Sequence, residues 1–339
     1  MMNVQRMRWI VDETAAGELP PVIVDAARRW QADPVSHVRS SGNHVFRLVM
    51  PDGSSGYLRL TSTAERSRDA LQAELEFVQQ VAHCGVAVAR PLPSASGTLI
   101  EEIDEPAENP NAASYFAVVF SDLRGRQLEH GELTEPHYRA WGRALAQLHL
   151  ASQTFPLHPA RPSLLDEIRR ARTTLPQSED KVAQVLDAGA AWLETIPVNP
   201  AAYGLLHGDC ELDNLIWDGL KPQVLDFDSA LYAPFLVDVA IALQEVWTPE
   251  TPDRNDRVAW FCDGYRELRT LPSEFLESLP RVITLLTALK IAQLLHAYVP
   301  LSTGREDAES ITADPPWLVN MRARHQRWLE VQRASLEWR

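Results

Sequence analysis

The chain has 339 residues, 45% hydrophobic and 23% charged, the balance of a globular protein long enough for two packed cores. Forty-six acidic residues against 32 basic ones give a formal net charge of −14, which argues against a nucleic-acid partner because phosphates require basic surface. The three scattered cysteines, Cys84, Cys210 and Cys262, form neither a disulfide framework nor a zinc spacing, and they fit a reducing cytoplasm.

In chain order, Met1 to Trp9 lacks the apolar core of a secretion signal. Pro20 to Gln31 has helical spacing, with Val24, Ala27 and Trp30 on one face. Three strand-like runs follow: Val35 to Arg39, Val45 to Met50 and Tyr57 to Leu60. Ser40, Ser41, Gly42, Asn43 and His44 form a small-residue turn between the first two, and such a turn can lie over phosphates because its N–H groups are unobstructed. Pro51 to Ser54 is a hairpin turn before the third strand, which carries Arg59. Glu65 to His83 reads as a helix whose apolar face includes Leu71, Leu75 and Val78. Thr98 to Glu102 reads as a strand, Asp104 to Ala113 as a loop, and Tyr115 to Phe120 as an apolar strand ended by Ser121 to Gly125.

Further on, helices are expected over Glu135 to Ser152, Ser163 to Thr173, Glu179 to Glu194, Val239 to Val246, Arg257 to Leu268, Pro272 to Leu279, Arg281 to Tyr298 and Pro316 to Leu336. Val282 to Val299 is the longest apolar stretch. Lys290 and His296 interrupt it, so a buried helix fits better than a membrane span. Trp247, Trp260, Trp317 and Trp328 sit among these helices and suit a core more readily than an acceptor pocket. There is no Walker A, G-x-G-x-x-G or H-E-x-x-H motif and no internal repeat.

The chemistry concentrates in Leu206 to Leu215 and Leu225 to Asp228. His207-Gly208-Asp209 is followed by Asn214, five residues after the aspartate, and then by Asp226 in an apolar strand-like run. Protein kinases use the same logic: one aspartate accepts the acceptor hydroxyl's proton, and the asparagine and a second aspartate hold Mg²⁺. Asp218 to Pro222 reads as a tight turn, so Asn214 and Asp226 fall at the open end of one hairpin. Two oxygen ligands suit Mg²⁺, whose shell is completed by phosphates and water.

These residues resemble the phosphotransferase family of aminoglycoside phosphotransferases, choline kinases and homoserine-kinase-like enzymes. Val86 to Pro91, Gly142 to His149 and Ala233 to Ala240 resemble further segments of that family. The resemblance implies an α+β, protein-kinase-like fold in two lobes. Residues 1–121 would form a small antiparallel-sheet lobe with one main helix, and residues 122–339 a larger, mainly helical lobe. It implies ATP and Mg²⁺ as cofactors and a small-molecule alcohol as acceptor, with Asp209 as the catalytic residue and Asn214 and Asp226 as metal ligands. Ser41, Gly42 and Asn43 would cover the nucleotide. Arg59 stands where kinases carry a lysine, which puts its full equivalence in question. Its carboxylate partner is Glu74 or Glu76, and the family frame favours Glu74. Adenine would bond to backbone between Val119 and Asp122. Asp238 would cap a helix and brace the catalytic loop, and His149 and His207 would be structural. A serine/threonine protein kinase of the bacterial stress-response type, which Tyr115 to Phe120, Gly125 to Leu128 and His207 to Cys210 also resemble, and a non-catalytic nucleotide-binding module are the competing readings.

Overall fold

A computed structural model describes residues 2–15, 17, 19–104, 114–248, 251, 253–272, 274–299 and 314–338. The loop expected over Asp104 to Ala113 lies, apart from its first residue, outside the described residues.

The N-terminal part is a six-stranded antiparallel sheet with three helices. Helices α1 (Val4–Ala15) and α2 (Pro21–Arg28) precede β1 (Asp33–Ser40), β2 (His44–Val49) and β3 (Ser55–Ser62). Helix α3 (Arg68–His83) leads to β4 (Pro91–Leu92), β5 (Glu101–Ile103) and β6 (Tyr115–Ser121). The strand order is β1-β2-β3-β6-β4, with β5 also on β6. The alternation in β2 buries Phe46 and Leu48 on one face, where they pack with Leu58, Leu60, Ile23 and Trp30. The opposite face of β6, through Phe116 and Val118, packs on Leu71 and Leu75 of α3.

The rest is mainly helical: α4 (Glu135–Gln153), α5 (Leu164–Thr174), α6 (Asp180–Glu194), α7 (Leu236–Leu243), α8 (Arg254–Arg266), α9 (Glu274–Ala297) and α10 (Pro316–Ser335). Between α6 and α7 lie β7 (Tyr203–Leu205), the hairpin β8 (Leu215–Asp218) and β9 (Lys221–Val224), and β10 (Tyr232–Pro234). One large apolar core joins these elements. Backbone hydrogen bonds tie the hairpin to the chain around the sheet. Val224 N–H donates to Ala87 O, Ala89 N–H to Val224 O, and Arg126 and Trp217 exchange a pair of bonds. The hairpin therefore sits at the junction of sheet and helices.

Several elements differ from the sequence reading. Helix α1 was not anticipated; Met7 and Ile10 bury its apolar side, and Trp317 of α10 donates to its Asp12 at 2.7 Å. That contact takes Trp317 away from any shared aromatic pocket. Helix α3 begins at Arg68 rather than Glu65, because the Ser67 hydroxyl caps it by accepting from Ala70 N–H. Only Glu101–Ile103 pairs as a strand, since the hydroxyls of Ser94, Ser96 and Thr98 gather on the Glu101 carboxylate and hold the preceding residues in a turn. The two helices expected on either side of Pro280 are one helix, α9. Burial of Leu279, Val282 and Leu285 on the core outweighs the single backbone bond that proline removes. Helix α9 is the one described helix apolar and long enough to span a membrane, and it is packed into this core.

Candidate active site

The catalytic-type loop, residues 206–214, is shaped by what lies behind it. Gly208 has φ +80°, and a Cβ there would stand 2.2 Å from Ser229 O, so a side chain is excluded on both counts. His207 is buried with both ring nitrogens engaged: Nδ1 accepts from Asp209 N–H at 3.2 Å, and Nε2 donates to Leu225 O at 3.0 Å. The two bonds hold the ring in one orientation, and through it the loop.

Asp238 sits inside the first turn of α7, so the expectation that it caps that helix is corrected; Phe235 holds the cap position. Its carboxylate instead accepts from His207 N–H at 2.9 Å, Gly208 N–H at 2.8 Å and His149 Nε2 at 3.1 Å. Tyr265 Oη completes this network on His149 Nδ1 at 2.8 Å. Burial pushes the Asp238 carboxyl up, but the His149 bond and its charge outweigh burial and hold it below the ordinary value. Burial lowers His149. The bracing of the loop is thus a geometric fact, and His149 is a packed structural histidine.

Asp209 follows on the loop. Its Oδ2 accepts from Asn214 Nδ2 at 2.9 Å, and the same amide nitrogen donates to Asp209 O at 2.8 Å. Burial raises the Asp209 carboxyl. Burial also pushes the neighbouring Cys210 thiol up and leaves it inert. Glu211, next in line, is pushed up to about 7 by burial and lies against Gln244 and 3.9 Å from Lys290.

The Asn214 side chain bonds only through Nδ2, and its Oδ1 is buried without a hydrogen-bond partner. Asp226, across the hairpin, has φ +65°, and its Oδ1 is likewise a buried oxygen without one. Two buried acceptors without donors are costly in a folded core unless a cation completes them. Among the described residues no group of three His, Cys, Asp or Glu makes a metal cage. A pair of oxygens fits Mg²⁺, which recruits phosphate and water for its remaining positions. Phe227, packed edge-on against Phe77 of α3 with ring centroids 5.9 Å apart, anchors this segment to the sheet side.

On the sheet side, Arg59 is 5% exposed and pairs with Glu74 at 2.7 Å and with Asp226 Oδ1 at 3.6 Å. Glu76 lies elsewhere, accepting from Gln72 at 2.9 Å on the outer side of α3. The Arg59 guanidinium lies 5.0 Å from the Phe120 ring centroid, and its Nε and Nη2 are buried without acceptors. Those two nitrogens can donate to an anion.

The turn after β1 comes down on the same place. Asn43 Nδ2 donates to Asp228 Oδ2 at 2.8 Å, while Asn43 Oδ1 accepts from Thr61 at 2.7 Å. Gly42 is so near that a Cβ would meet Asp228 Oδ2 at 3.2 Å. Ser41 holds the turn through its N–H to Asn43 O at 3.0 Å. At the far edge, Val119 lies between β3 and β4, paired with Leu58 and Leu92. Asp122 is exposed just past the end of β6, beyond the last paired residue, Ser121.

Four residues at this site carried no assigned role in the sequence: Arg39, Arg66, Arg161 and Asp228. Arg66 pairs with Glu74 at 3.4 Å and Asp228 at 3.9 Å. Arg39 pairs with Asp226. Burial tends to raise Asp228, but Arg66 and Arg59 hold it at about 2. Arg161, lowered to about 10 by burial, donates to Ala230 O at 2.8 Å and Asp228 O at 3.0 Å and fixes the backbone beyond the hairpin.

An antiparallel sheet over a helical body, with this loop and hairpin at their junction, is the architecture of a protein-kinase-like transferase. The chain belongs to the phosphotransferase enzyme family, whose model matches residues 37–271. Amicoumacin kinase from Bacillus subtilis is 29% identical over 307 residues, 86% of this chain and 89% of that protein. Homoserine kinase from Methylobacillus flagellatus is 27% identical over 224 residues, 65% of this chain and 66% of that protein. Among solved structures, an amicoumacin kinase in complex with AMP-PNP, Ca²⁺ and Ami has a TM-score of 0.74 at 21% identity, covering 95% of this chain and 96% of that one.

Proposed function

We propose that this enzyme transfers the γ-phosphoryl group of ATP to a hydroxyl of a small molecule, with Asp209 as the catalytic carboxylate and Asn214 and Asp226 as the ligands of Mg²⁺. One observation carries the reading: both expected ligands present a buried oxygen without a hydrogen-bond partner, at the hairpin whose Asn214 also holds Asp209. Bound Mg²⁺ would neutralise the phosphate charge that builds during transfer.

The chain's own residues do the rest. Asp209, oriented by Asn214 and by His207, directs the acceptor hydroxyl and takes its proton. Arg59, fixed by Glu74, offers its two unpaired nitrogens to the phosphates. Ser41, Gly42 and Asn43 cover them from above. Adenine meets the backbone where β6 ends, at Asp122, since Val119 is enclosed by strands on both sides. Residues 1–121 thereby supply the nucleotide side and residues 122–339 the catalytic loop, metal ligands and acceptor pocket. Positioning and charge stabilisation account for most of the acceleration in this chemistry.

The acceptor class follows from the relatives, which are named as kinases of amicoumacin and of homoserine. The same relatives lend no support to a protein acceptor. Retention of Asp209, Asn214 and Asp226 in bonded positions argues against a non-catalytic module. The test is a transfer assay with labelled ATP against pooled small-molecule alcohols, amicoumacin and homoserine included, and against casein. Label on a pool member and none on casein is expected; label on casein alone would overturn the reading.

A further inference from the structure

We propose that Arg39 is a phosphate ligand of this enzyme that, before nucleotide arrives, occupies the carboxylate the metal needs. The inference rests on the assignment of Asp226 as a metal ligand made above.

Arg39 lies on β1, an edge strand, and a register shift between His37 and Arg39 marks an irregularity there of the kind that re-aims a side chain. Its guanidinium reaches Asp226 Oδ2, 187 residues away in sequence. Arg59 stands on the other oxygen of the same carboxylate. The ion pairs run as a chain: Arg39 to Asp226, Asp226 to Arg59, Arg59 to Glu74, Glu74 to Arg66, Arg66 to Asp228.

The two arginines on Asp226 are not equivalent. Arg59 is buried, bound to Glu74 and packed on Phe120, so it stays. Arg39 is 39% exposed and ends the chain of ion pairs, so it is the one that yields. A divalent cation taking up Asp226 leaves the Arg39 guanidinium beside a double positive charge, which is strongly unfavourable at such separations. Arg39 must then find an anion. The residue is followed at once by the Ser40–His44 turn, which lies over the Asp226–Asp228 segment through Asn43 and Asp228. Asp228 under that turn is already held by Asn43 and Arg66, so the anion left for Arg39 is the entering phosphate chain, which a guanidinium suits with two-point contact. Arg39 therefore passes from carboxylate to phosphate as metal and nucleotide enter.

Two binding measurements of opposite expected sign test this, neither needing turnover. Mn²⁺ alone is titrated by electron paramagnetic resonance, and AMP-PNP is titrated calorimetrically at saturating Mn²⁺, where the competition for Asp226 is already relieved. Arg39→Ala should bind Mn²⁺ alone several-fold more tightly and AMP-PNP about tenfold more weakly than wild type. Arg39→Lys should recover part of both changes, and circular dichroism confirms that each variant is folded. Unchanged or weaker Mn²⁺ binding in Arg39→Ala overturns the proposal, as does unchanged AMP-PNP affinity. Asp226→Asn separates this from the underlying reading: wild-type Mn²⁺ affinity there removes the metal assignment, whereas loss of Mn²⁺ there with no response to Arg39→Ala overturns the role of Arg39 alone.

Discussion

The helical side and the sheet side of the junction are built on opposite principles. On the helical side, the loop carrying Asp209 is braced from behind by well-satisfied groups: Asp238 accepts three bonds, and His149 and His207 each use both ring nitrogens. Where the hairpin meets the sheet, charges alternate along a chain of arginines and carboxylates, and polar atoms of Arg59, Asp226 and Asn214 remain without hydrogen-bond partners. A satisfied buried network fixes one geometry. An unsatisfied one costs free energy that a bound partner can recover. The difference teaches where each half of the reaction is stored: the acceptor's aspartate is positioned in advance, and the nucleotide's charge is awaited.

That contrast can be broken from either side. The largest effect is expected for Asp209→Asn, which removes the proton acceptor without disturbing the brace behind it. Turnover should fall about 10²- to 10⁴-fold while calorimetric affinity for Mg·AMP-PNP and the melting temperature stay near wild type. A fall in melting temperature of many degrees would mean that Asp209 belongs to the scaffold instead.

Asp238→Ala attacks the scaffold. Two backbone N–H groups and one imidazole lose a buried anionic acceptor, so unfolding free energy should drop by about 3–5 kcal/mol in denaturant titrations. The pH dependence has a definite sign. Asp238 is depressed below its ordinary value of 3.8, so its contribution is present above that value and lost as pH falls through the folded one. The gap between wild type and variant should hold constant from pH 5 to 8 and close below about pH 4. A gap that closes toward alkaline pH contradicts the network.

On the sheet side, Arg59→Ala should lower kcat/KM by about 10- to 100-fold, or ~1.4–2.7 kcal/mol of transition-state stabilisation, mainly through KM for ATP. Arg59→Lys should recover part, because an ammonium is a usable point charge for phosphate. The smallest effect should come from Glu74→Gln, which frees Arg59 without removing it. Wild-type kinetics in Arg59→Ala would make that residue a mere strand packing group.

Much of this was legible in the sequence. Antiparallel strands with their turns, the length of most helices, and the grouping of Asp209, Asn214 and Asp226 follow from local spacing, which a hairpin converts directly into proximity. Arg59 and Glu74 were legible for the same reason, since one strand–turn–helix unit brings them together. Arg39, Arg66 and Arg161 were not. Each reaches the Asp226–Asp228 segment across 67 to 187 residues, and nothing in a single charged residue on a strand or before a helix says which way it points. Pro280 misled because the local rule for proline was outweighed by burial on both of its sides. Asp238 misled in its helix position because its bonds run back to the loop, not to its own helix.

The most direct test is a crystal structure of the enzyme with Mg²⁺ and AMP-PNP. The account predicts a metal at about 2.1 Å from Asn214 Oδ1 and from the Asp226 carboxylate. It also predicts Arg59 Nε or Nη2 bonded to a phosphate oxygen and the Asp209 carboxylate facing the terminal phosphate. A metal held by other side chains, with Asn214 Oδ1 still unpaired, would contradict it.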